Sequence, residues 1–339
     1  MTTLPRLSLI SFLMVALSVP ALAGVTVNSP ANSAELASPF TLSASATTCS
    51  SQTVGAMGYS LDNSTDTTIV NGEAIDAAVA SAAGAHTLHV KAWGEKGASC
   101  VTDVAINVTT VSSAVSVDSI SVSAIQALSD WNAVNDIGTS GGSASGAMSI
   151  VNSPSLSGFA REFTTAYKDY GGERYDVLFG DDALSTNFFY DAWVYLKGPS
   201  ASIANVEMDL NQVMPNGQTV IFGVQCDGWS GTWDYTANAG TPEKPVDTWL
   251  HSKAACNPRT WSTNTWHHVQ ISYSRNDSGE VTYQSVWFDG AESSMNATVS
   301  SAFALGWSPA LLTNFQIDSY AAGSASSTVY LDNLTIYRW

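Results

Sequence analysis

The sequence predicts an all-β protein, and three observations carry that expectation. Only 12% of the residues are charged while 45% are hydrophobic, against roughly 25% charged in ordinary globular chains, which argues against disorder. The 339 residues include 25 Gly, 11 Trp and 12 Tyr, types at home in tight turns, strands and aromatic surfaces. Apolar residues also recur at every second position in short runs between turn formers, the period of a half-buried strand.

Charge and leader bound the setting. Twelve basic against 29 acidic residues leave a net charge of -17, which repels phosphate backbones and anionic lipid, so nucleic acid and membrane surfaces are excluded as partners. Residues 1–23 place Arg6 before the apolar run from Leu7 to Val19, then Pro20 and Ala21-Leu22-Ala23, the pattern of a secretory signal peptide. The run is shorter than the ~20 residues a spanning helix needs, and no later segment approaches that length. An extracellular or periplasmic location is expected, where cysteines pair. Cys49, Cys100, Cys226 and Cys256 allow about three connectivities, and pairing within each domain joins Cys49 to Cys100 and Cys226 to Cys256. No Cys-x-x-Cys spacing occurs, so no metal site and no cofactor are expected.

Residues 24–110 read as a small β-sandwich. The runs from Phe40 to Ala44, His86 to Trp93 and Val101 to Val108 alternate, and Asn28-Ser29-Pro30, Leu61-Asp62-Asn63-Ser64 and Gly94-Glu95-Lys96-Gly97 punctuate them, as strands and turns do in sandwiches. His86 and His89, oddly spaced on one strand, are read as strand-filling residues facing opposite ways. The segments Ser29-Pro30, Ser38-Pro39, Met57 to Asp62, Gly84 to Leu88 and Ala92-Trp93 resemble the bacterial Ig-like module. That resemblance implies a spacer or adhesive unit.

Residues 111–339 repeat the β signature at larger scale, after a Ser- and Val-rich link from Thr109 to Ser123. Candidate strands are Phe188 to Leu196, Thr219 to Cys226, Trp266 to Tyr273, Val281 to Phe288, Phe315 to Asp318 and Val329 to Tyr337. The tract from Gly138 to Gly146 is read as a loop with no phosphate-cradling pattern. Strands without intervening helices over this length fit one antiparallel jelly roll. Trp193, Trp266 and Trp287, set within apolar alternation, are expected in its core. The runs Trp266-His267-His268-Val269-Gln270-Ile271-Ser272-Tyr273, Val286-Trp287-Phe288-Asp289-Gly290 and Tyr330 to Ile336 resemble the concanavalin A-like lectin and glucanase superfamily, the first of them its laminin G-like members.

The sharpest chemical candidate is Val206-Glu207-Met208-Asp209-Leu210-Asn211-Gln212. On a strand Val206, Met208 and Leu210 point inward while Glu207, Asp209 and Asn211 line the other face, ~6.8 Å apart in succession. The run resembles the Glu-x-Asp-x-x-Glu strand of family 16 glycoside hydrolases, whose first Glu is the nucleophile and last the general acid/base. Gln212 holds the last position here, and an amide cannot protonate a leaving oxygen. Trp229, Trp233, Tyr235 and Trp249 crowd the following stretch, and flat rings bury the C–H faces of sugars. Trp233, Tyr235 and Trp249 are the expected stacking residues. Tyr235, His251 and Arg259 would supply the base and cation of a polysaccharide lyase. Carboxylates, Asp332 among them, would supply oxygen ligands for calcium, although no EF-hand pattern occurs.

The expected function is a secreted, non-catalytic carbohydrate-binding or adhesive protein, with a polysaccharide or glycan on Glu207, Asp209 and Asn211 and stacked on Trp233, Tyr235 or Trp249. The alternative is an extracellular polysaccharide-degrading enzyme, either a glycoside hydrolase or a polysaccharide lyase. A purely structural surface protein is a third reading.

Overall fold

The structure, a computed structural model, describes residues 24–339 apart from 37–39, 65, 80, 82–83, 109–113 and 137–140. The signal peptide expected at 1–23 therefore lies outside the described residues. Strands dominate and pair antiparallel, except that Ala34–Leu36 runs parallel to Ser99–Val108. Among the described residues no helix is long and apolar enough to cross a membrane.

Two buried clusters divide the chain. The first gathers residues between Val25 and Val108. A three-stranded sheet of Thr26–Ser29, Phe40–Ser45 and Ala74–Val79 contributes Leu42 and Ile75, and a six-stranded sheet centred on Gly84–Gly94 contributes Met57, Leu88, Val90 and Ala92. The alternation seen in the sequence is what places these side chains inside. Cys49 and Cys100 form the expected disulfide. His86 and His89 each hold a carboxylate, Asp62 at 2.7 Å and Asp103 at 2.6 Å.

The second cluster spans Ile125 to Ile336 and lies between two eight-stranded antiparallel sheets, a jelly-roll sandwich. One sheet runs Asn132–Asp136, Gly172–Gly180, Ala310–Ser319, Ile203–Val213, Thr219–Asp227, Thr232–Asn238 and Asp247–Ala255 in spatial order, with Ala302–Phe303 paired to Thr219–Asp227 as the eighth strand. The other runs Ser143–Val151, Ala160–Lys168, Ser324–Arg338, Asn187–Leu196, Trp266–Arg275, Glu280–Phe288 and Ala291–Ser300. Ile120–Val122 pairs with Ser324–Arg338, so the chain joins this sandwich along its last strand. The tract expected to be a loop up to Gly146 is already strand from Ser143 onward.

The three indoles expected in the core are not there. Phe188, Tyr190, Ala192, Val194 and Leu196 take the inward positions of their strand, which turns Trp193 outward beside its cross-strand partner His268. Trp266 pairs with outward Tyr195, and Trp287 with outward Gln270. All three indoles are half-buried on the outer face of the second sheet.

Asp332 is fully buried and accepts six hydrogen bonds, from Gln126, Leu156, Asn333, the Ser155 hydroxyl, and both the amide and hydroxyl of Ser157. Its lone pairs are filled by the protein, so it anchors the 155–158 turn and offers no ligand atom to calcium. Nearby the two sandwiches meet: Asn333 Nδ2 donates to the Glu35 carbonyl at 2.8 Å, the Ser29 hydroxyl donates to the Ser157 carbonyl, and a cavity of about 540 Å³ opens beside them.

Candidate functional site

The Ile203–Val213 strand is central in its sheet and pairs without a bulge from Asn205 to Val213 on both sides. Strict alternation follows. Val206, Met208 and Leu210 enter the core with no exposed surface, and Glu207, Asp209 and Asn211 emerge on the outer face, as the sequence predicts. The same regularity sends Gln212 inward, where its amide donates to the carbonyls of Asp182 at 2.6 Å and Ser185 at 3.0 Å and accepts from Arg275. An offset of five residues reaches the same face as Glu207 only through a bulge, and none is present. Gln212 is thus no part of the site, whatever its chemistry.

Register extends the polar stripe into a floor. Glu207 lies between Gln316 and Gln225 on the adjoining strands, with Arg174 beyond Gln316 and Asp234 then His251 beyond Gln225. The next row sets Asp209 between Asn314 and Gly223, with Asp176 beyond Asn314. On the other side Asn205 stands between Asp318 and Asp227. Gly223 is required by this crowding: a Cβ there would stand 3.0 Å from Asp209 Oδ1 and 2.8 Å from Thr236 Cγ2. The middle strand of the floor is legible in the sequence and its flanks are not, because Gln225, Asn314 and Gln316 join it only through strand pairing.

The floor is acidic and poorly solvated. Glu207, Asp209 and Asn211 retain 7%, 4% and 2% of their surface. Burial, then the neighbouring Asp209 carboxylate, pushes the Glu207 carboxyl well above its ordinary range, and the two side chains hydrogen-bond each other. Burial lifts Asp209 to about 7 against the pull of Glu207 and Asn314, and burial with the Asp136 charge lifts Asp318 to about 7. Asp209 Oδ1, Asn211 Oδ1 and Asn314 Oδ1 are buried without a hydrogen-bond partner, as is the donor Arg174 Nε. Such groups are rare in native proteins, since each costs about 1–3 kcal/mol.

The aromatic expectations divide. Trp233 is 2% exposed and packs against Trp261 and Phe288 in the core, and Tyr235 lies on the same side against Tyr283. Neither ring reaches the floor, a correction that follows from alternation: Asp234 and Thr236 take the outward positions between and beyond them. Trp249 pairs with Thr236, shares the floor's face and is half-buried. At the end of the floor where Asp227 and Asp318 stand, an exposed platform gathers Trp229 at 55%, Tyr170 at 42% and Tyr320 at 36% exposure. Trp229 lies 4.1 Å from Tyr320 and 6.0 Å from Tyr170 between ring centroids, and Arg259 covers the Tyr320 ring at 3.8 Å. The residues proposed for a lyase are consequently separated, with Tyr235 inside, Arg259 stacked on the platform and His251 bonded to Asp234 at 2.8 Å.

Asp227, Asp234 and His251 bring three metal-ligating atoms within 4.8 Å of one another. Their carboxylates are already engaged: Asp227 accepts from the amides of Trp229 and Ser230, and Asp234 from Ser230, Thr232 and His251. The cluster holds the 227–232 turn. Cys226 and Cys256 form the expected disulfide beneath it.

No protein-family model and no curated protein matches the chain. Solved structures resemble it in shape. One is from a study of the promiscuous specificity of carbohydrate-binding modules of the β-sandwich superfamily, 10% identical, covering 93% of this chain and 98% of that one with a TM-score of 0.35. The alginate lyase vAL-1 from Chlorella virus is 10% identical, covers 62% and 93%, and scores 0.35. The lectin UEA-II complexed with galactose is 13% identical, covers 65% and 97%, and scores 0.32. Scores this low carry no argument about the site, which stands on its own residues.

Proposed function

We propose that this is an exported, non-catalytic glycan-binding protein, with a signal peptide at 1–23, an Ig-like module at 24–110 and a concanavalin A-like jelly-roll domain at 111–339 that holds a polysaccharide along the floor of Glu207, Asp209 and Asn211. One observation carries the reading: buried oxygen acceptors with no protein partner line a sheet face that also bears Trp249. Sugar hydroxyls donate to such acceptors while their C–H faces cover an indole. The exposed platform around Trp229 extends the surface at one end. Both disulfides fit an oxidising compartment.

Binding without cleavage is favoured by the carboxyl geometry. Double displacement needs two carboxyls about 5 Å apart acting on opposite sides of a bond, whereas Glu207 and Asp209 hydrogen-bond each other and Gln212 faces away. A panel of extracellular polysaccharides titrated against the wild type and Trp249→Ala tests the proposal. Retention of at least one polymer, weakened in the variant, with no new reducing ends and no unsaturated product, is the expected result. Failure to retain any polymer refutes it, and release of either product replaces it with an enzyme.

A further inference from the structure

The unmet needs of the floor are lopsided. Asp209 Oδ1, Asn211 Oδ1 and Asn314 Oδ1 all accept, and each belongs to a side chain at least nine-tenths buried. Beside them stands the unpartnered donor Arg174 Nε, on a guanidinium 3.9 Å from Asp176, and one row beyond Asn211 the Thr219 hydroxyl, which can donate or accept. Glu207 and Asp209 lie among further carboxylates, Asp318 and Asp227 in the adjoining row and Asp234 two strands away. A hydroxyl brings one hydrogen to such a place and no charge. An ammonium brings three hydrogens and the opposite charge.

We propose that the glycan held on this floor is an amino-sugar polymer, recognised through a protonated amine that donates to Asp209, Asn314 and the Glu207 carboxyl. The proposal rests on the glycan-binding reading above. The charge balance is simple. Below about pH 7 the amine arrives protonated, the protons held by Glu207 and Asp209 leave to solvent, and the ammonium takes its place between two carboxylates with no covalent change. Acidic sugars are excluded by the same carboxylates, and neutral sugars leave the acceptor surplus only partly filled.

The test compares hexamers of one β-1,4 backbone that differ at a single ring position: glucosamine, N-acetylglucosamine and glucose, titrated calorimetrically into the full mature chain. The glucosamine hexamer is expected to bind at least about tenfold more tightly than either other hexamer, to lose affinity between about 50 mM and about 500 mM salt, and to release protons on binding. Asp209→Asn, which keeps the side-chain volume, is expected to erase the preference. Should that variant fail to fold, the three-ligand comparison and the salt series on the wild type decide alone. Equal affinity for all three hexamers, or preference for either uncharged one, overturns the amino-sugar assignment and leaves glycan binding standing. Binding of none of them, or of any polymer in the wider panel, overturns both. Calcium bound in place of the glucosamine hexamer overturns the assignment in favour of a metal site.

Discussion

The two outer faces of the C-terminal sandwich are built from equally regular strands, yet they solve their polar accounts differently. On the second sheet large rings cover one another: Trp193 lies flat on His268 at 4.4 Å, Tyr195 meets Trp266 edge-on at 5.3 Å, and Phe189 packs on Trp287 at 5.5 Å. The carboxylate among them is satisfied, with Asp191 accepting from His268 at 2.7 Å and Gln270 at 2.8 Å. On the first sheet carboxyls and amides crowd together and three acceptors go without partners. A face that completes its own hydrogen bonds has a structural role. One that leaves buried acceptors open has an unmet need for a donor, a difference between the two faces that aromatic content alone does not show.

The largest expected effect tests which indoles belong to the interior. Trp233→Ala removes a ring from the core and should cost about 3–5 kcal/mol, lowering the melting temperature by roughly 10 °C in a sandwich of this size. Trp193→Ala, on the half-buried outer face, should cost about 1–2 kcal/mol, the share of burial and stacking lost there. Urea titrations of the two variants read both losses. Equal costs would erase the distinction between a packed interior and a self-covering exterior.

That distinction was half legible in the sequence. In Thr232-Trp233-Asp234-Tyr235-Thr236-Ala237-Asn238 the polar residues alternate with apolar ones, and the inward set of Trp233, Tyr235 and Ala237 follows from period two once the neighbouring Gly228 and Gly231 are not read as making the whole stretch a loop. The run from Phe188 to Leu196 differs, because apolar side chains occupy both parities. Only packing against the opposite sheet decides that Trp193 faces out. The floor's middle strand was readable from its own alternation. The flanking Gln225, Asn314 and Gln316, and the platform of Tyr170, Trp229 and Tyr320, come from segments far apart in the chain and have no local signature. The disulfides were readable because each pair lies within one sandwich.

A smaller effect separates the faces by pH. Asp209 has its carboxyl at about 7 in the folded chain, above its ordinary 3.8, so between those values the folded form holds a proton that the unfolded form has released. Its contribution to stability is complete below about pH 4 and is lost as pH rises through about 7. Asp318 acts in the same direction. For Asp182 burial pushes upward but is outweighed by hydrogen bonds from Ser185, Leu184 and Arg338, which hold it at about 2, so its contribution is lost only on acidification below about pH 4. The melting temperature without ligand should therefore fall from about pH 5 to about pH 8. Asp209→Asn should flatten that slope and be the more stable form at the alkaline end, by about 1 kcal/mol. Trp193→Ala should keep the wild-type slope. An unchanged slope in Asp209→Asn would mean that the floor is better hydrated than its burial indicates.

The smallest effect on stability carries the finest information about where the ligand runs. Trp229 is 55% exposed and contributes its ring chiefly to Tyr320, so Trp229→Ala should change stability by no more than about 0.5 kcal/mol. If the polymer leaves the floor past Asp227 and Asp318, it crosses this platform, and losing one stacking surface should weaken binding by about 0.5–1.5 kcal/mol, roughly two- to tenfold. Trp249 stands on the outermost strand of the sheet, so a chain that runs along the middle strands and also reaches that edge should feel both substitutions, and a longer oligomer should feel Trp229→Ala more than a short one. Affinity measured against oligomer length in the two variants reads this directly. A loss confined to Trp249→Ala at every length would place the ligand across the strands, toward His251, and leave the platform to the protein's own surface.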